Sequence, residues 1–223
     1  AHADLGQPPP VVVIPHGGPD MQSFDEFHSK WQALSQAGFA VLAPNYRGST
    51  GYGKAFLDLN NKDWGGKDLD DLRAGVRYLA ERGLADPGRA GITGGSYGGY
   101  LTLMSLARMP ESWAAGVDAY GMPDLRLDFE STGDRFVEWY KTEMGTPSTD
   151  AALFKERSAI TYIDAIRAPL LIFQGANDTN VPPAESELIY NKLLERRVPV
   201  ELVVYPDEGH GFTRRRNRVD FLK

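Results

Sequence analysis

The chain has 223 residues, of which 42% are hydrophobic, and this size suits one medium-sized globular domain over residues 1–223. The formal net charge is -6 and the basic residues are dispersed apart from one short run, so the sequence predicts no surface for nucleic acid. The absence of cysteine excludes disulfides and thiolate chemistry. The basic run is interpreted as a solvated helix face and consists of Arg214, Arg215, Arg216 and Arg218.

The beginning of the chain carries no pattern of a targeting segment. The first ten residues lack a basic start and an apolar core, and no run of eighteen apolar residues occurs anywhere. We therefore expect no membrane span and no membrane partner. A cytoplasmic location is predicted, which the lack of cysteine fits, although a leader already removed would leave no trace here.

Short apolar runs, each followed by a glycine or asparagine turn and then by helical periodicity, recur along the chain and are typical of βα units. In chain order, strands are predicted over Val11 to Ile14, over Phe39 to Ala43, in "RAGITGGS" up to Gly94, and in "WAAGVDAYG", "PLLIFQGAND" and "VPVELVVYPDEGH". Helices are predicted in "KDLDDLRAGVRYLAERG", with a stripe of Leu69, Leu72, Val76 and Leu79, in "YLTLMSLARM", and from near Pro182 and Pro183 to about Arg196.

Most of these strands are nearly continuous hydrophobic runs, as a parallel sheet covered by helices on both faces requires. We therefore expect an α/β fold with a doubly wound, mostly parallel sheet. The rhythm breaks between Met122 and Ile166, where aromatic and charged residues mix without a clear strand. This segment, about 122–166, is predicted to be a helical insertion over one end of the sheet.

The stretch "GITGGSYGGY", residues 91–100, surrounds one serine with glycines. Gly94, Ser96 and Gly98 match the G-x-S-x-G corner, in which a strand turns sharply into a helix and exposes the serine hydroxyl above the strand ends. The backbone N–H of Tyr97 would point to the same place and stabilise charge on a carbonyl oxygen. Two other interpretations stay open on this motif alone: a phosphate-binding turn, although neither the P-loop nor the dinucleotide fingerprint is present, and a serine that only caps the helix.

A serine nucleophile needs a base, and the candidates are four histidines. His210, in "YPDEGHGF", follows the last apolar strand, at the edge where a sheet of this type gathers its site residues. Gly209 and Gly211 favour a loop that presents its ring, against the ordinary structural role of a lone histidine. The remaining histidines suit the task less: His2 in the terminus, His28 in a polar helix start, and His16 ahead of the serine corner.

The base in turn needs an acceptor that fixes its tautomer. Asp178 comes directly after a strand, in "LLIFQGANDTNVPP", and its loop is expected at the same sheet edge. Asp207, which shares a loop with His210, is kept as an alternative, and Asp178 as the N-cap of the following helix is another. The order serine, aspartate, histidine is the order of the α/β-hydrolase fold, which is our prediction for this chain.

A second donor to the carbonyl oxygen is expected from "HGGP", residues 16–19, after the first strand. We choose the backbone N–H of Gly18, by analogy with the glycine-rich loop of esterases. His16 would then support this loop. No metal role is predicted because no second ligand lies at a suitable spacing, and no cofactor is expected.

In this order and over nearly the whole chain, "HGGP", "NYRGSTGYG", "GGSYGGY", "GANDTNVP" and "EGHGF" resemble the catalytic domain of the prolyl oligopeptidase family of serine peptidases. "HGGP" is more similar to the acylaminoacyl-peptidase branch than to prolyl endopeptidases or dipeptidyl peptidases, which tend to have tyrosine at the position of His16. The resemblance implies Ser96 as nucleophile, Asp178 and His210 as its partners, and Tyr97 and Gly18 as backbone oxyanion donors.

The resemblance also implies a substrate pocket lined by apolar and aromatic residues of the insertion. The candidates are Phe129, Phe136, Trp139 and Tyr140, for which a role as ordinary core residues stays open. Members of the family usually carry an N-terminal β-propeller, which nothing in this chain could form, and a longer closing helix than "RNRVDFLK". The chain is therefore expected to correspond to a catalytic domain without its propeller.

The leading hypothesis is a serine hydrolase that cleaves short or N-acylated peptides through an acyl-enzyme on Ser96. A carboxylesterase with the same three residues is the first alternative, and the partner is then a short ester in place of a peptide. A non-catalytic domain that keeps the fold for interaction is the second. A homo-oligomer is compatible with the sequence, which does not determine the oligomeric state.

Overall fold

The computed structural model describes residues 6–222, with only the backbone for residue 135. Among these residues six strands form one sheet in the order β2-β1-β3-β4-β5-β6, and every neighbouring pair is parallel. The strands are β1 (Pro10–Val13), β2 (Ala40–Leu42), β3 (Asp86–Gly95), β4 (Ala115–Ala119), β5 (Leu170–Gly175) and β6 (Val200–Tyr205). The parallel α/β sheet expected from the sequence is confirmed.

Helices follow the strands and cover the sheet. They are α1 (Ser29–Gln36), α2 (Lys54–Leu57), α3 (Lys67–Glu81), α4 (Tyr97–Arg108), α5 (Leu125–Ser131), α6 (Asp134–Glu143), α7 (Ala151–Glu156), α8 (Pro183–Glu195) and α9 (Arg215–Asp220). Short 3₁₀ helices lie at Asp58–Asn60, Pro110–Ser112 and Ala159–Ala165. Within residues 6–222 none of the helices is both long enough and apolar enough to cross a bilayer.

Two strands, β2 and β3, end at residues other than those predicted, because pairing with β1 determines their length. β2 is shorter than the predicted strand from Phe39 to Ala43 because it lies at the sheet edge and pairs only with β1, from Ala40 to Leu42. β3 is longer, since its first residue, Asp86, already pairs with Pro10. Partners from distant parts of the chain set these limits, and local composition does not contain them.

The core lies on both faces of the sheet. Leu170 and Ile172 of β5 point into the main cluster, whereas Phe173, one residue on, points into a smaller cluster with Ala119 and Tyr205. Successive side chains of a strand face opposite sides of a sheet, so both faces of β5 are covered, as its continuous apolar sequence predicted. On the main face α4 is buried from its first residue to Ala107, and a helix without an exposed side is apolar all round.

The predicted insertion, 122–166, contains α5, α6, α7 and the 3₁₀ helix at Ala159–Ala165, with no strand among its described residues. Asp124 begins α5 as its N-cap, because its carboxylate accepts hydrogen bonds from the N–H groups of Arg126 and Leu127. α4 packs against the 3₁₀ helix, which fixes the end of the insertion to the sheet. The insertion is therefore helical, as expected.

The arginine run lies at α9, and each of its four side chains belongs to an exposed residue. Arg214 and Arg216 form ion pairs with Asp207. This arrangement agrees with a solvated helix face. His2 lies outside the described residues.

Candidate active site

Ser96 lies in a sharp corner between β3 and α4. Its backbone has φ 57° and ψ -124°, a conformation that non-glycine residues rarely adopt and that marks strained corners. The strand and helix approach each other so closely that a methyl group on Gly94 would overlap the backbone of Gly98. Ser96 occupies the N-cap position of α4 but its side chain makes no capping hydrogen bond, so the interpretation as a helix cap is wrong.

The hydroxyl of Ser96 instead meets the imidazole of His210. Ser96 Oγ lies 2.9 Å from His210 Nε2, and His210 Nδ1 lies 2.8 Å from Asp178 Oδ2. With the proton on Nδ1, His210 donates to Asp178 and accepts at Nε2 from Ser96. The three residues predicted from the sequence thus form one chain of hydrogen bonds that can move a proton from the serine oxygen to the ring.

Asp178 is held by the loop after β5. Its side chain is fully buried, and its Oδ1 accepts hydrogen bonds from the N–H groups of Asn180 and Val181 at 2.8 and 3.0 Å. The N-cap of α8 is Pro182, so the interpretation of Asp178 as that cap is wrong. Its second oxygen is left to orient His210.

Asp207 does not take this position. Its carboxylate accepts from Arg216 Nη2 at 2.7 Å and from Asn217 Nδ2 at 3.0 Å. These contacts tie the loop after β6 to α9. The alternative assignment of Asp207 as the partner of His210 has no support in this geometry.

The loop that carries His210 is organised by Glu208. This buried carboxylate accepts from the N–H and hydroxyl of Thr213, from the N–H of Arg214 and from Asn217 Nδ2, at 2.8 to 3.0 Å. Desolvation opposes the charge, but the hydrogen bonds, first that of the Thr213 N–H, outweigh it and lower the pKa of Glu208 to about 2. The ring of Tyr120 packs against the imidazole of His210, with ring centroids 4.8 Å apart.

The "HGGP" loop lies beside the serine corner. A methyl group on Gly17 would stand 3.6 Å from Cβ of Ser96, and Gly18 lines the same cavity as Ser96. His16 stacks on Tyr46 with ring centroids 4.3 Å apart, and its Nε2 lies 2.8 Å from Ser49 Oγ. Burial lowers the pKa of His16, which suits a neutral ring that supports the loop.

Tyr97, the residue after the serine, is held in place by a hydrogen bond from its side chain to Asp68. The hydroxyl of Tyr97 donates to Asp68 Oδ2 at 2.7 Å, and the N–H groups of Gly65 and Leu69 donate to the same carboxyl group. Burial raises the pKa of Asp68 to about 6, although these hydrogen bonds favour its charged form. As the first residue of α4, Tyr97 carries one of the N–H groups that a helix leaves without an intrahelical partner. This N–H is available to a ligand at the corner.

A cavity of about 360 Å³, called here the Ser96 cavity, opens at this corner. Ser96, His210 and Gly18 line it, together with three aromatic residues predicted for the pocket: Phe136, Trp139 and Tyr140. Trp139 Nε1 donates to Asp20 Oδ2 at 3.0 Å, which joins the insertion to the loop after β1.

The prediction that Phe129 lines the substrate pocket is wrong, because Phe129 is absent from the residues that line the Ser96 cavity. Its ring is partly buried and packs edge-on against Tyr140 and Phe154 of the main core, with centroids 5.4 and 5.9 Å apart. Asp128 and Thr132, one helical turn apart, are the residues of this segment that line the cavity. Phe129 therefore supports the aromatic wall from behind.

The model of the prolyl oligopeptidase family matches residues 25–223, which is most of the chain. The chain belongs to this family. Dipeptidyl aminopeptidase BIII of Pseudoxanthomonas mexicana is 41% identical to it over 96% of the chain and 32% of the relative. The human acylamino-acid-releasing enzyme is 31% identical over 93% of the chain and 30% of the relative. The chain thus spans about a third of the length of the curated relatives it matches.

Solved structures of the family have the same fold. That of puromycin hydrolase superimposes with a TM-score of 0.93 at 30% identity, covering 98% of this chain and 33% of that one. The α/β-hydrolase fold expected from the order of the three site residues is therefore confirmed. The relatives include both an acylamino-acid-releasing enzyme and a dipeptidyl aminopeptidase, so membership of the family of serine peptidases is shown and both branches are represented.

Several residues at the site of this prolyl oligopeptidase family member were not predicted from the sequence. Tyr120, beside His210, follows β4 and belongs to no sequence motif that would indicate a place at the site. The other unpredicted residues that line the Ser96 cavity come from three separate segments and are Asp20, Met122, Asp128, Thr132, Asn180 and Val181. Asn180 and Val181 lie in the same loop as Asp178, and this proximity was the one signal available for them.

Proposed function

We propose that this chain is a serine peptidase that hydrolyses short or N-acylated peptides through an acyl-enzyme on Ser96. The observation that carries the proposal is the continuous chain of hydrogen bonds from Ser96 through His210 to Asp178, at 2.9 and 2.8 Å. Neither a helix cap nor an interaction surface requires a serine in a strained corner with an oriented imidazole beside it. Membership of a family of serine peptidases supports the same reaction class.

The reaction follows from the positions of the three side chains. Ser96 Oγ attacks the carbonyl carbon of the scissile bond while its proton passes to His210 Nε2, and Asp178 stabilises the imidazolium that forms. The tetrahedral intermediate then collapses, the C–N bond breaks, and His210 returns the proton to the leaving amine. Water, activated in turn by His210, hydrolyses the ester on Ser96 and restores the enzyme.

The negative charge on the carbonyl oxygen is stabilised by backbone donors on two sides of Ser96. Tyr97 offers the free N–H at the start of α4, and Gly18 is our choice for the second donor because its loop lies against the corner. The contact between Tyr97 and Asp68 below the corner and the stack of His16 on Tyr46 hold these two backbones in place. Such donors cost no reorganisation during the reaction because they are already oriented.

The dimensions of the site favour a small substrate. The Ser96 cavity has a volume of about 360 Å³, toward the lower end of ligand pockets, which suits one side chain or a short acyl group beside the scissile bond. The relatives are named as a dipeptidyl aminopeptidase and an acylamino-acid-releasing enzyme, and both names refer to small released products. Short and N-acylated peptides are therefore the substrate class that we propose.

Labelling with a fluorophosphonate, followed by peptide mass spectrometry, tests the nucleophile. We expect an adduct on Ser96 in the unchanged chain, loss of labelling in Ser96→Ala, and strongly slowed labelling in His210→Ala. His28→Ala is the matched control, because His28 is a partly exposed histidine that pairs with Glu26 away from this site. A folded protein in which His210→Ala labels as fast as His28→Ala would contradict the proposal.

A comparison of substrates separates a peptidase from a carboxylesterase. Acetyl-aminoacyl p-nitroanilides and short-chain p-nitrophenyl esters are offered to the unchanged chain and to Ser96→Ala. We expect Ser96-dependent hydrolysis of the anilides. Hydrolysis of the esters alone would assign the same three residues to an esterase.

A further inference from the structure

One carboxylate in the Ser96 cavity, that of Asp128, takes no part in the proposed reaction. Asp128, on α5, lines the cavity and is only 3% exposed. Its Oδ2 accepts a hydrogen bond from the hydroxyl of Tyr140, which lines the same cavity. Its Oδ1 has no hydrogen-bond partner among the described residues. A buried carboxylate oxygen left without a donor is costly and calls for an explanation.

No ion pair among the described residues compensates the charge of Asp128. No lysine or arginine with a described side chain forms an ion pair with it; His210, Asp178 and Glu185 are the ionisable groups, besides Tyr140, whose charges bear on it. Burial raises the pKa of Asp128 to about 6 and that of Glu185 to about 9. Burial is the main cause of both shifts and neighbouring carboxylates add to them, whereas the charge of His210 acts in the opposite direction on Asp128.

The rest of the cavity suits the stem of a long basic side chain. Apolar groups of Met122, Phe136 and Val181 can contact methylene groups, and the aromatic residues Trp139 and Tyr140 line the same cavity. Lysine and arginine combine these features, since each joins an apolar stem to a terminal donor that a carboxylate accepts. A neutral aliphatic side chain would fill the same volume and leave Asp128 Oδ1 unpaired.

We propose that Asp128 determines specificity by accepting a hydrogen bond from the ammonium or guanidinium group of a basic residue on the acyl side of the scissile bond. This inference rests on the proposed peptidase function. It narrows the substrate class to short or acylated peptides that are cleaved after lysine or arginine. Tyr140 orients the carboxylate through its hydroxyl. Oδ1, which is buried and has no donor among the described residues, is the acceptor that we assign to the substrate.

The test compares acetyl-lysine p-nitroanilide with acetyl-norleucine p-nitroanilide, which has the same apolar stem without the ammonium group. In the unchanged chain we expect kcat/KM for the lysine substrate to exceed that for norleucine at least about tenfold, since the pocket otherwise keeps an unpaired polar group. Asp128→Asn keeps the side-chain volume and removes the charge, and it is expected to lower this ratio at least about tenfold.

Glu130→Gln is the matched control, because Glu130 lies on the same helix, is exposed and pairs with Arg126. Its lysine-to-norleucine ratio is expected to equal that of the unchanged chain. A second variant, Thr132→Lys, keeps Asp128 and places an ammonium group one turn away in the same cavity. It is expected to remove the preference for lysine by occupying Asp128 internally, so the inference stays testable if Asp128→Asn does not fold.

The outcomes separate this inference from the function on which it rests. Absence of Ser96 labelling and of turnover with both substrates would contradict the peptidase itself. Turnover of norleucine without a preference for lysine in the unchanged chain would overturn the role of Asp128 alone. A preference that survives in both Asp128→Asn and Thr132→Lys would overturn it as well, and would leave Asp128 as a support for Tyr140.

Discussion

The serine corner and the wall of the Ser96 cavity adjoin each other, yet they are held by different means. The corner is built by backbone: Gly94 and Gly98 touch, the N–H of Ser96 donates to Ala119 O at 3.0 Å, and α4 begins at once. The wall is built by side chains of α5 and α6, whose rings pack edge-on against one another and against the core. Backbone contacts leave little freedom for change, whereas a wall of side chains can be altered without moving the reacting atoms.

Removing the charge of Asp178 is the largest expected effect on the corner's chemistry. Asp178→Asn is expected to lower kcat by about three to four orders of magnitude, because the amide cannot fix the tautomer of His210 or stabilise its charged form. Asp207→Asn, which affects only the ties to α9, should stay within about threefold. Single-turnover kinetics on both folded variants measure the difference, and equal rates would contradict the assignment.

Two alanine substitutions within β3 measure how tightly the backbone fixes the corner. Gly94→Ala is expected to lower the free energy of unfolding by about 1–3 kcal/mol, since the added methyl group overlaps the backbone of Gly98. In Gly91→Ala the methyl group meets Ala115 O at 3.7 Å, an ordinary contact, and the change should stay within about 0.5 kcal/mol. Urea denaturation gives both values. Equal values would show that the corner tolerates side chains.

A pair of substitutions in the insertion separates the wall from the core behind it. Trp139→Phe removes the donor to Asp20 and part of the cavity lining, and we expect KM to rise about tenfold with kcat nearly unchanged. Phe129→Leu is expected to lower the free energy of unfolding by about 1 kcal/mol without changing substrate preference. If Phe129→Leu altered the preference instead, our assignment of this residue to the core would be wrong.

The last expected effect concerns the loop of His210 and appears only as a dependence on pH. The pKa of Glu208 is lowered to about 2 in the folded chain, below the value of about 4.3 of an unfolded glutamate. Its contribution to stability is therefore fully present above pH about 5 and is lost as the pH falls toward about 2. The difference in unfolding free energy between the unchanged chain and Glu208→Gln should shrink over this interval. The exposed pair of Glu138 and Lys141 provides a control, since Glu138→Gln should show a small difference at each pH.

The corner could be predicted from the sequence because its cause is local. Ten contiguous residues carry both the glycines that permit the close approach and the serine that it exposes. Asp178 and His210 could be added because each lies in the loop after an apolar run, and parallel strands bring their carboxyl ends to one edge. For all three residues, a local sequence pattern was therefore enough to predict the position in the fold.

The wall could be predicted only in part, for a reason that the contacts show. The family resemblance implied an aromatic pocket in the insertion and so indicated Phe136, Trp139 and Tyr140, but it indicated Phe129 as well. α5 has seven residues, and its orientation is decided by packing on Tyr140 and Phe154. Local spacing could not indicate that Asp128 lines the cavity while its neighbour Phe129 does not. The acidic character of the cavity was missed for the same reason.

The sheet order ties the appearance of activity to the completion of folding. Ser96 and His210 are 114 residues apart in the chain, and β3, β4, β5 and β6 must all be paired before they meet. Each of these pairings closes a long loop, and parallel pairings of this kind form slowly. Helical circular dichroism can recover during refolding while these strands are still unpaired. Turnover therefore reports the last steps of assembly, and a time course of regained activity measures when the far edge of the sheet closes.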